Sequence, residues 1–256
     1  MKKKLILITN DDGVRAKGLA ELIALARGFG RVVVVAPDGA RSGQSNAITM
    51  IEPLYKKILT EEEDLTIYKC SGTPTDCVKM ALNNILDRKP DLILSGINHG
   101  SNSSVNVIYS GTMGAVLEGC SQCIPSVGFS LCDHSPTTDF SIFLPFVKSI
   151  IARVLSNTLP EGVCLNVNAP LGEIKGIKVC SQAKGQWIEE FDARTNPNGQ
   201  AYYWMTGKFV NLEPENIKTD EWALNNGYVS IVPTICDLTH YKSIEWLKNI
   251  GYEQTE

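Results

Sequence analysis

The chain has no apolar run approaching the roughly 18 residues that a membrane-spanning helix needs, so it is read as a protein that does not enter a bilayer. It has no basic excess either. Lysine and arginine total 24 against 28 acidic residues, a formal charge of −4. Gripping a polynucleotide backbone takes many Lys and Arg contacts to phosphate, so that class of partner is set aside. A small anion is still open to it, because a metal ion or a helix N-terminus supplies positive potential locally. Low-complexity tracts and internal repeats are missing, the 21 glycines and 12 prolines being spread along the chain. The opening Met-Lys-Lys-Lys mimics the basic start of an export signal, but its apolar run is only Leu5 to Ile8 before Asn10-Asp11-Asp12. That run is read as a buried strand, and the protein is expected in the cytoplasm. The eight cysteines fall at irregular spacings, and Cys120-Ser-Gln-Cys123 lacks a second pair at zinc-finger distance, so reduced thiols are expected.

What is present is an alternation of strand and helix patterns over the first two-thirds. Strands are expected at residues 4–9, 31–37, 51–59, 65–70, 91–94, 125–130 and 163–167, the four valines from Val32 to Val35 marking a strand buried on both faces. Helices are expected at 18–28, from Thr73 to about Leu86, from Ser110 through Glu118 and at about 139–155; Thr73-Pro74-Thr75-Asp76 combines a capping hydroxyl, a proline at the first helical position and an early acid. The fold class is therefore α/β, a mainly parallel sheet covered on both sides. Residues 184–215 mix Trp187, Tyr202, Tyr203 and Trp204 with Gly, Pro and Asn and show no period. A strand at 227–233 and a short helix at 243–249 follow. The expected division is a core over 1–183 and an irregular C-terminal region over 184–256 that is not an independent domain.

In an open parallel sheet, ligands sit beyond the C-terminal strand ends, near the point where strand order reverses. Three polar segments fall there: Asn10-Asp11-Asp12-Gly13, Ser42-Gly43-Gln44-Ser45 and Ser95-Gly96-Ile97-Asn98. Adjacent carboxylates in a partly buried cleft repel and call for a cation. Asp11, Asp12, the Ser42 hydroxyl and the Asn98 carbonyl are all hard oxygen donors, suited to Mg²⁺ or Mn²⁺ rather than zinc. Ser110-Gly111-Thr112 at a helix start offers N–H groups and hydroxyls to a tetrahedral oxyanion. No G-x-G-x-x-G follows the first strand, which argues against a dinucleotide-dependent dehydrogenase. The acids are adjacent, unlike the Asp-x-Asp of phosphatases that form an aspartyl-phosphate. His99, next to Asn98, is the one histidine this reading brings near the site, and could serve as a proton donor. The aromatics of 184–215 fit either base stacking or a subunit interface.

The ordered blocks Ile8-Thr9-Asn10-Asp11-Asp12-Gly13, Ala36-Pro37 with Ser42-Gly43-Gln44-Ser45, Gly72-Thr73-Pro74-Thr75-Asp76, Ser95-Gly96-Ile97-Asn98 and Tyr109-Ser110-Gly111-Thr112 together resemble the SurE nucleotidases. That resemblance implies a Rossmann-like three-layer core with a β-hairpin arm. It further implies hydrolysis of nucleoside 5′-monophosphates through a metal-activated water, with 3′-phosphates and short polyphosphates as further candidates. One divalent ion, Mg²⁺ or Mn²⁺, per subunit would be held by Asp11, Asp12, Ser42 and Asn98, Asp11 or Asp12 orienting the water. Ser110, Gly111 and Thr112 would surround the phosphate, and Asn10, Gly43 and Asn102 would line the pocket. A homodimer or tetramer with exchanged C-terminal segments is implied as well. Two positions depart from the family pattern: Ser104 stands where glycine is usual and Asn106 where aspartate is usual. A non-catalytic nucleotide- or metal-binding regulator is the alternative reading, and these departures favour it.

Overall fold

The computed structural model describes residues 3–135 and 137–253; Met1 and Lys2 of the basic opening lie outside that range. Its centre is a nine-stranded sheet. In chain order the strands are β1 (Leu5–Thr9), β2 (Arg31–Pro37), β3 (Lys56–Glu61), β4 (Leu65–Cys70), β5 (Leu92–His99), β6 (Ser126–Leu131), β7 (Val163–Ala169) and β8 (Gly176–Val179). The hairpin strands β9 (Gly185–Ile188), β10 (Phe191–Thr195), β11 (Ala201–Met205) and β12 (Lys208–Asn211) lie outside the sheet, and β13 (Tyr228–Ile235) rejoins it. The spatial order is β3-β4-β2-β1-β5-β6-β7-β13-β8. From β4 to β7 all pairs are parallel, while β3 and β13 run antiparallel to their inner neighbours.

Side chains alternate across a strand, so the unbroken apolar runs of β1 and β2 feed two cores at once. Ile6, Ile8, Val32 and Val34 join one, with α1 (Lys17–Ala26) and α4 (Leu144–Asn157) over them. Leu5, Leu7, Val33 and Val35 face the other, beneath α2 (Pro74–Asn84), with α3 (Gly111–Ser121) beside it. The result is three layers, helix on sheet on helix. The α2 start reads as the sequence suggested: the Asp76 N–H donates to Thr73 Oγ1 at 3.1 Å, and the Thr73 N–H donates back to Asp76 Oδ2 at 2.9 Å.

The chain builds β1, β2 and β4 outward to one side, then crosses back to place β5, β6 and β7 on the other. Strand order therefore reverses between β1 and β5, and the loops leaving those two strands flank a crevice. Gly18 lets α1 lie close over β5, since a Cβ there would fall 2.0 Å from the Ile97 carbonyl oxygen.

Several elements differ from expectation. Ser95-Gly96-Ile97-Asn98 is not a loop after β5 but its last turn of strand, with the ladder to β6 shifting register between Ser95 and Asn98. The first strand after the Ser42 loop begins at Lys56, not Ile51, and α4 begins at Leu144, not near Asp139. Residues 185–211, which showed no period, form a bent antiparallel hairpin, β9 pairing β12 and β10 pairing β11. A short helix α5 (Asp220–Asn225) precedes β13, and α6 (Lys242–Asn249) closes the described chain with none of its residues buried.

Candidate active site

Asp11 lies immediately past β1 with 4% of its surface exposed. The Thr112 hydroxyl, in the first turn of α3, donates to Asp11 Oδ1 at 2.5 Å. Gly111 makes that approach possible, because a Cβ there would stand 2.9 Å from Asp11 Cβ. The positive end of α3 is thus aimed at a carboxylate. Even so, burial pushes the Asp11 pKa up from 3.8 to about 6; the Thr112 hydrogen bond pulls against that and the charge of neighbouring Asp12 adds to it. The ionised form of Asp11 is under-compensated by the protein alone.

Asp12 is half-buried and takes its own partner, Oδ2 standing 3.2 Å from His99 Nδ1. The His99 ring is fixed from the other side by an edge contact with Phe140, centroids 5.1 Å apart. Asn98 donates from Nδ2 to the Gly100 carbonyl at 2.9 Å, so its amide NH₂ is occupied and Oδ1 is its free acceptor. Ser42 follows Arg41, whose main-chain N–H donates to the Asp11 carbonyl at 2.7 Å, which brings the exposed Ser42-Gly43 turn to the end of β1. Asn10 donates to the Gly13 carbonyl at 3.0 Å, while its Oδ1 is buried without a partner.

These residues fit a hard divalent cation. The crevice holds one under-compensated carboxylate, a second anchored by a histidine, an amide with its oxygen free and an orphaned amide oxygen, all oxygen donors. Among the described residues no group of three or more His, Cys, Asp and Glu side chains is placed to hold a metal, so such an ion depends on neutral oxygens beside the two acids.

The phosphate-pocket candidates divide. Ser110 caps α3, its hydroxyl accepting the Met113 N–H at 3.0 Å, and Thr112 is turned to Asp11. Asn102 points inward: its N–H donates to Asn168 Oδ1 at 2.7 Å and its Nδ2 to Ser130 Oγ at 2.8 Å. It braces the loop from the inside.

Sequence reasoning missed two neighbours. His134 packs on Gly100, where a Cβ would meet its Cε1 at 2.1 Å, so His99 is not the only histidine near the crevice. Asp220 is fully buried and accepts the Ser104 N–H at 2.8 Å and the Ala183 N–H at 2.9 Å, tying the loop after β5 to the base of the hairpin. The signal for it was Thr219-Asp220-Glu221, a capping hydroxyl followed by two acids. Ser104 has φ +52°, the left-handed region the usual glycine would favour, and its hydroxyl donates to the Ala183 carbonyl at 2.9 Å. Asn106 accepts the Trp187 indole N–H at 2.8 Å. Both departures from the family pattern therefore bond the site loop to the hairpin.

The family model described as Survival protein SurE matches residues 6–189. The chain belongs to the SurE family. It is 54% identical over 249 residues to the 5′-nucleotidase SurE of Bacteroides fragilis, covering 97% of this chain and 98% of that one. The 5′-nucleotidase SurE of Porphyromonas gingivalis is 41% identical over 246 residues, 96% of this chain and 95% of the other. Among solved structures, the SurE protein of Aquifex aeolicus superposes with a TM-score of 0.83 at 38% identity, covering 96% of this chain and 99% of that one. The Rossmann-like layering is thus a SurE fold, and its match extends past the core into the hairpin and β13.

Proposed function

We propose that this chain is a divalent-metal-dependent 5′-nucleotidase, hydrolysing nucleoside monophosphates to nucleoside and phosphate. The observation that carries this reading is Asp11, a buried and under-compensated carboxylate set at the β1/β5 switch point against the N-terminus of α3. The relatives named 5′-nucleotidase support the substrate class. Asp11, Asp12, Ser42 and Asn98 would hold one Mg²⁺ or Mn²⁺ per subunit. When bound, such an ion offsets charge on the phosphoryl oxygens and acidifies a water. Asp12, steadied by His99, orients the attacking water. Ser110 and Gly111, at the positive end of α3, face the phosphoryl oxygens, Gly43 and Asn10 border them, and Asn102 holds the loop in place.

Phosphate release from nucleoside 5′- and 3′-monophosphates, with Mg²⁺, Mn²⁺ or chelator, tests the reading. Metal-dependent release that Asp11→Asn lowers by at least a hundredfold is expected. A folded wild type that binds nucleotide without releasing phosphate under any metal would overturn it.

The same reading extends to assembly and location. Phe191, Tyr203, Trp204 and Met205 on the hairpin are exposed, as are Leu238, Trp246 and Ile250 near the C-terminus. Exposed apolar side chains gathered on two elements in this number suggest an interface, and we assign them to a homodimer or a tetramer built from it. The region after 184 then serves oligomerisation, except that β13 completes the core sheet. Light scattering on the full chain and on a form lacking 190–206 checks this, a monomeric full chain refuting it. All eight cysteines are free thiols, which suits a cytoplasmic protein. Among the described residues no helix is long and apolar enough to cross a membrane.

A further inference from the structure

A pocket of about 690 Å³ opens beside the crevice, between the Ser42-Gly43 turn, the start of α2 and the segment leading to β3. Arg41 and Gln44, the residues on either side of Ser42-Gly43, form one wall, and Leu54, Tyr55 and Thr73 form others. The residues that flank the phosphate-side turn therefore also line the pocket. That volume lies in the range of small-molecule sites, roughly 300–1,000 Å³.

The walls are held by bonds independent of any ligand. The Tyr55 N–H donates to Ser71 Oγ and the Ser71 N–H donates to the Tyr55 carbonyl, each at 3.0 Å, locking that main chain against the end of β4. The Thr73 hydroxyl donates to the Ala47 carbonyl at 2.7 Å. Arg41 donates from its guanidinium to the Ser71 carbonyl at 2.9 Å and from its main chain to Asp11, so it spans from pocket to crevice. Its Nε is buried with no partner. Tyr55 lines the pocket and remains 69% exposed, although its backbone is fixed.

We propose that this pocket seats the nucleoside half of the substrate, with the Tyr55 ring stacking on the base and the Gln44 amide facing the polar edge of the base or ribose. The proposal rests on the nucleotidase reading above and names where its base goes. The hairpin aromatics are not needed for that role: Trp187 is bonded to Asn106 and packs edge-on against Phe209. Stacking reads the face of a base and not its edge pattern, so one aromatic wall accepts purines and pyrimidines alike.

The test compares AMP with methyl phosphate, which carries the scissile bond but no base, on the full chain with Mn²⁺. Tyr55→Ala is expected to raise KM for AMP about tenfold with kcat within twofold, and Tyr55→Phe to restore it. Methyl phosphate, lacking the base, should register less than a twofold change. An AMP KM unaffected by Tyr55→Ala, or equal losses on both substrates, overturns the seat; so does a change in oligomeric state with AMP kinetics intact, which would make the pocket a subunit contact. If the wild type hydrolyses neither compound, the nucleotidase reading fails separately. Calorimetry of AMP binding to wild type and Tyr55→Ala then decides the seat, equal affinity refuting it.

Discussion

Asp11→Asn should stabilise the metal-free protein while abolishing its activity. The carboxyl titrates near 6 in the fold against 3.8 as a free group. Folding therefore favours its protonated form, and that contribution is fully present below pH 3.8 and is lost as pH rises through 6. At about 1.4 kcal/mol per pH unit, the 2.2-unit gap makes ionised Asp11 cost roughly 3 kcal/mol at pH 8, and about half of that at pH 5. Asparagine is neutral throughout, nearly the same shape, and keeps an Oδ1 to accept the Thr112 hydroxyl. The stability gained by the variant should then climb by roughly 1–2 kcal/mol between pH 5 and 8 and flatten above it. For a chain of this size the full difference corresponds to a melting shift of roughly 6–10 °C. The assay is thermal or urea unfolding of both proteins in chelator across that pH range. A variant less stable than wild type at pH 8 without metal, or a difference flat in pH, would refute the argument that Asp11 carries an uncompensated buried charge. If Asp11 is a metal ligand as proposed, saturating Mn²⁺ should reverse the ranking by binding the wild type more tightly than the variant.

Other substitutions probe the scaffold. Gly18→Ala, which in an exposed helix would stabilise by up to about 1 kcal/mol, should instead destabilise by roughly 1–3 kcal/mol in urea melts, because its methyl meets the Ile97 carbonyl. Ser104→Ala keeps the left-handed backbone but strips the Ala183 carbonyl of its donor, for a loss of about 1–2 kcal/mol, whereas Ser104→Gly relieves the strain as it loses the bond and should lie within about 1 kcal/mol of wild type. Thr73→Ala removes one arm of the α2 capping box and should lower stability by about 1 kcal/mol, again measured in urea.

The layers and the switch point were legible because they follow from periodicities the chain cannot hide. Runs such as Val32 to Val35 must be buried on two faces, and acids directly after a buried strand must sit at its C-terminal edge. The hairpin was not legible for the complementary reason. All five residues of Ala201–Met205 are exposed on both faces, so no alternation between core and solvent marks the strand. Ser95-Gly96-Ile97-Asn98 carries turn letters, yet it is a buried central strand whose register slips against β6. Only the neighbouring strand, not the local composition, determines that. The Thr219-Asp220-Glu221 cap marks a helix start but not its partner, because the bond from Asp220 to Ser104 crosses 116 residues, and the contact of His134 with Gly100 is likewise not recorded locally.

The two departures at Ser104 and Asn106 bear on why the site loop holds its place. In the usual pattern a glycine at 104 would adopt φ +52° freely and an aspartate at 106 would add charge. Here Ser104 is strained, but its hydroxyl bonds Ala183 and its N–H bonds Asp220, and the neutral Asn106 accepts from Trp187. The Ser45 hydroxyl, from the opposite loop, donates to the Ile108 carbonyl at 2.6 Å. One short helical turn, Ser104–Ile108, thus joins the hairpin on one side and the phosphate-side turn on the other. Charge at 106 is replaced by connection to the hairpin, which leaves Asp11 and Asp12 as the concentrated negative charge in the crevice and keeps the oxygen donors beside them fixed for a cation. Neither departure touches Asp11, Asp12, Ser42 or Asn98, so the regulator alternative gains nothing from them.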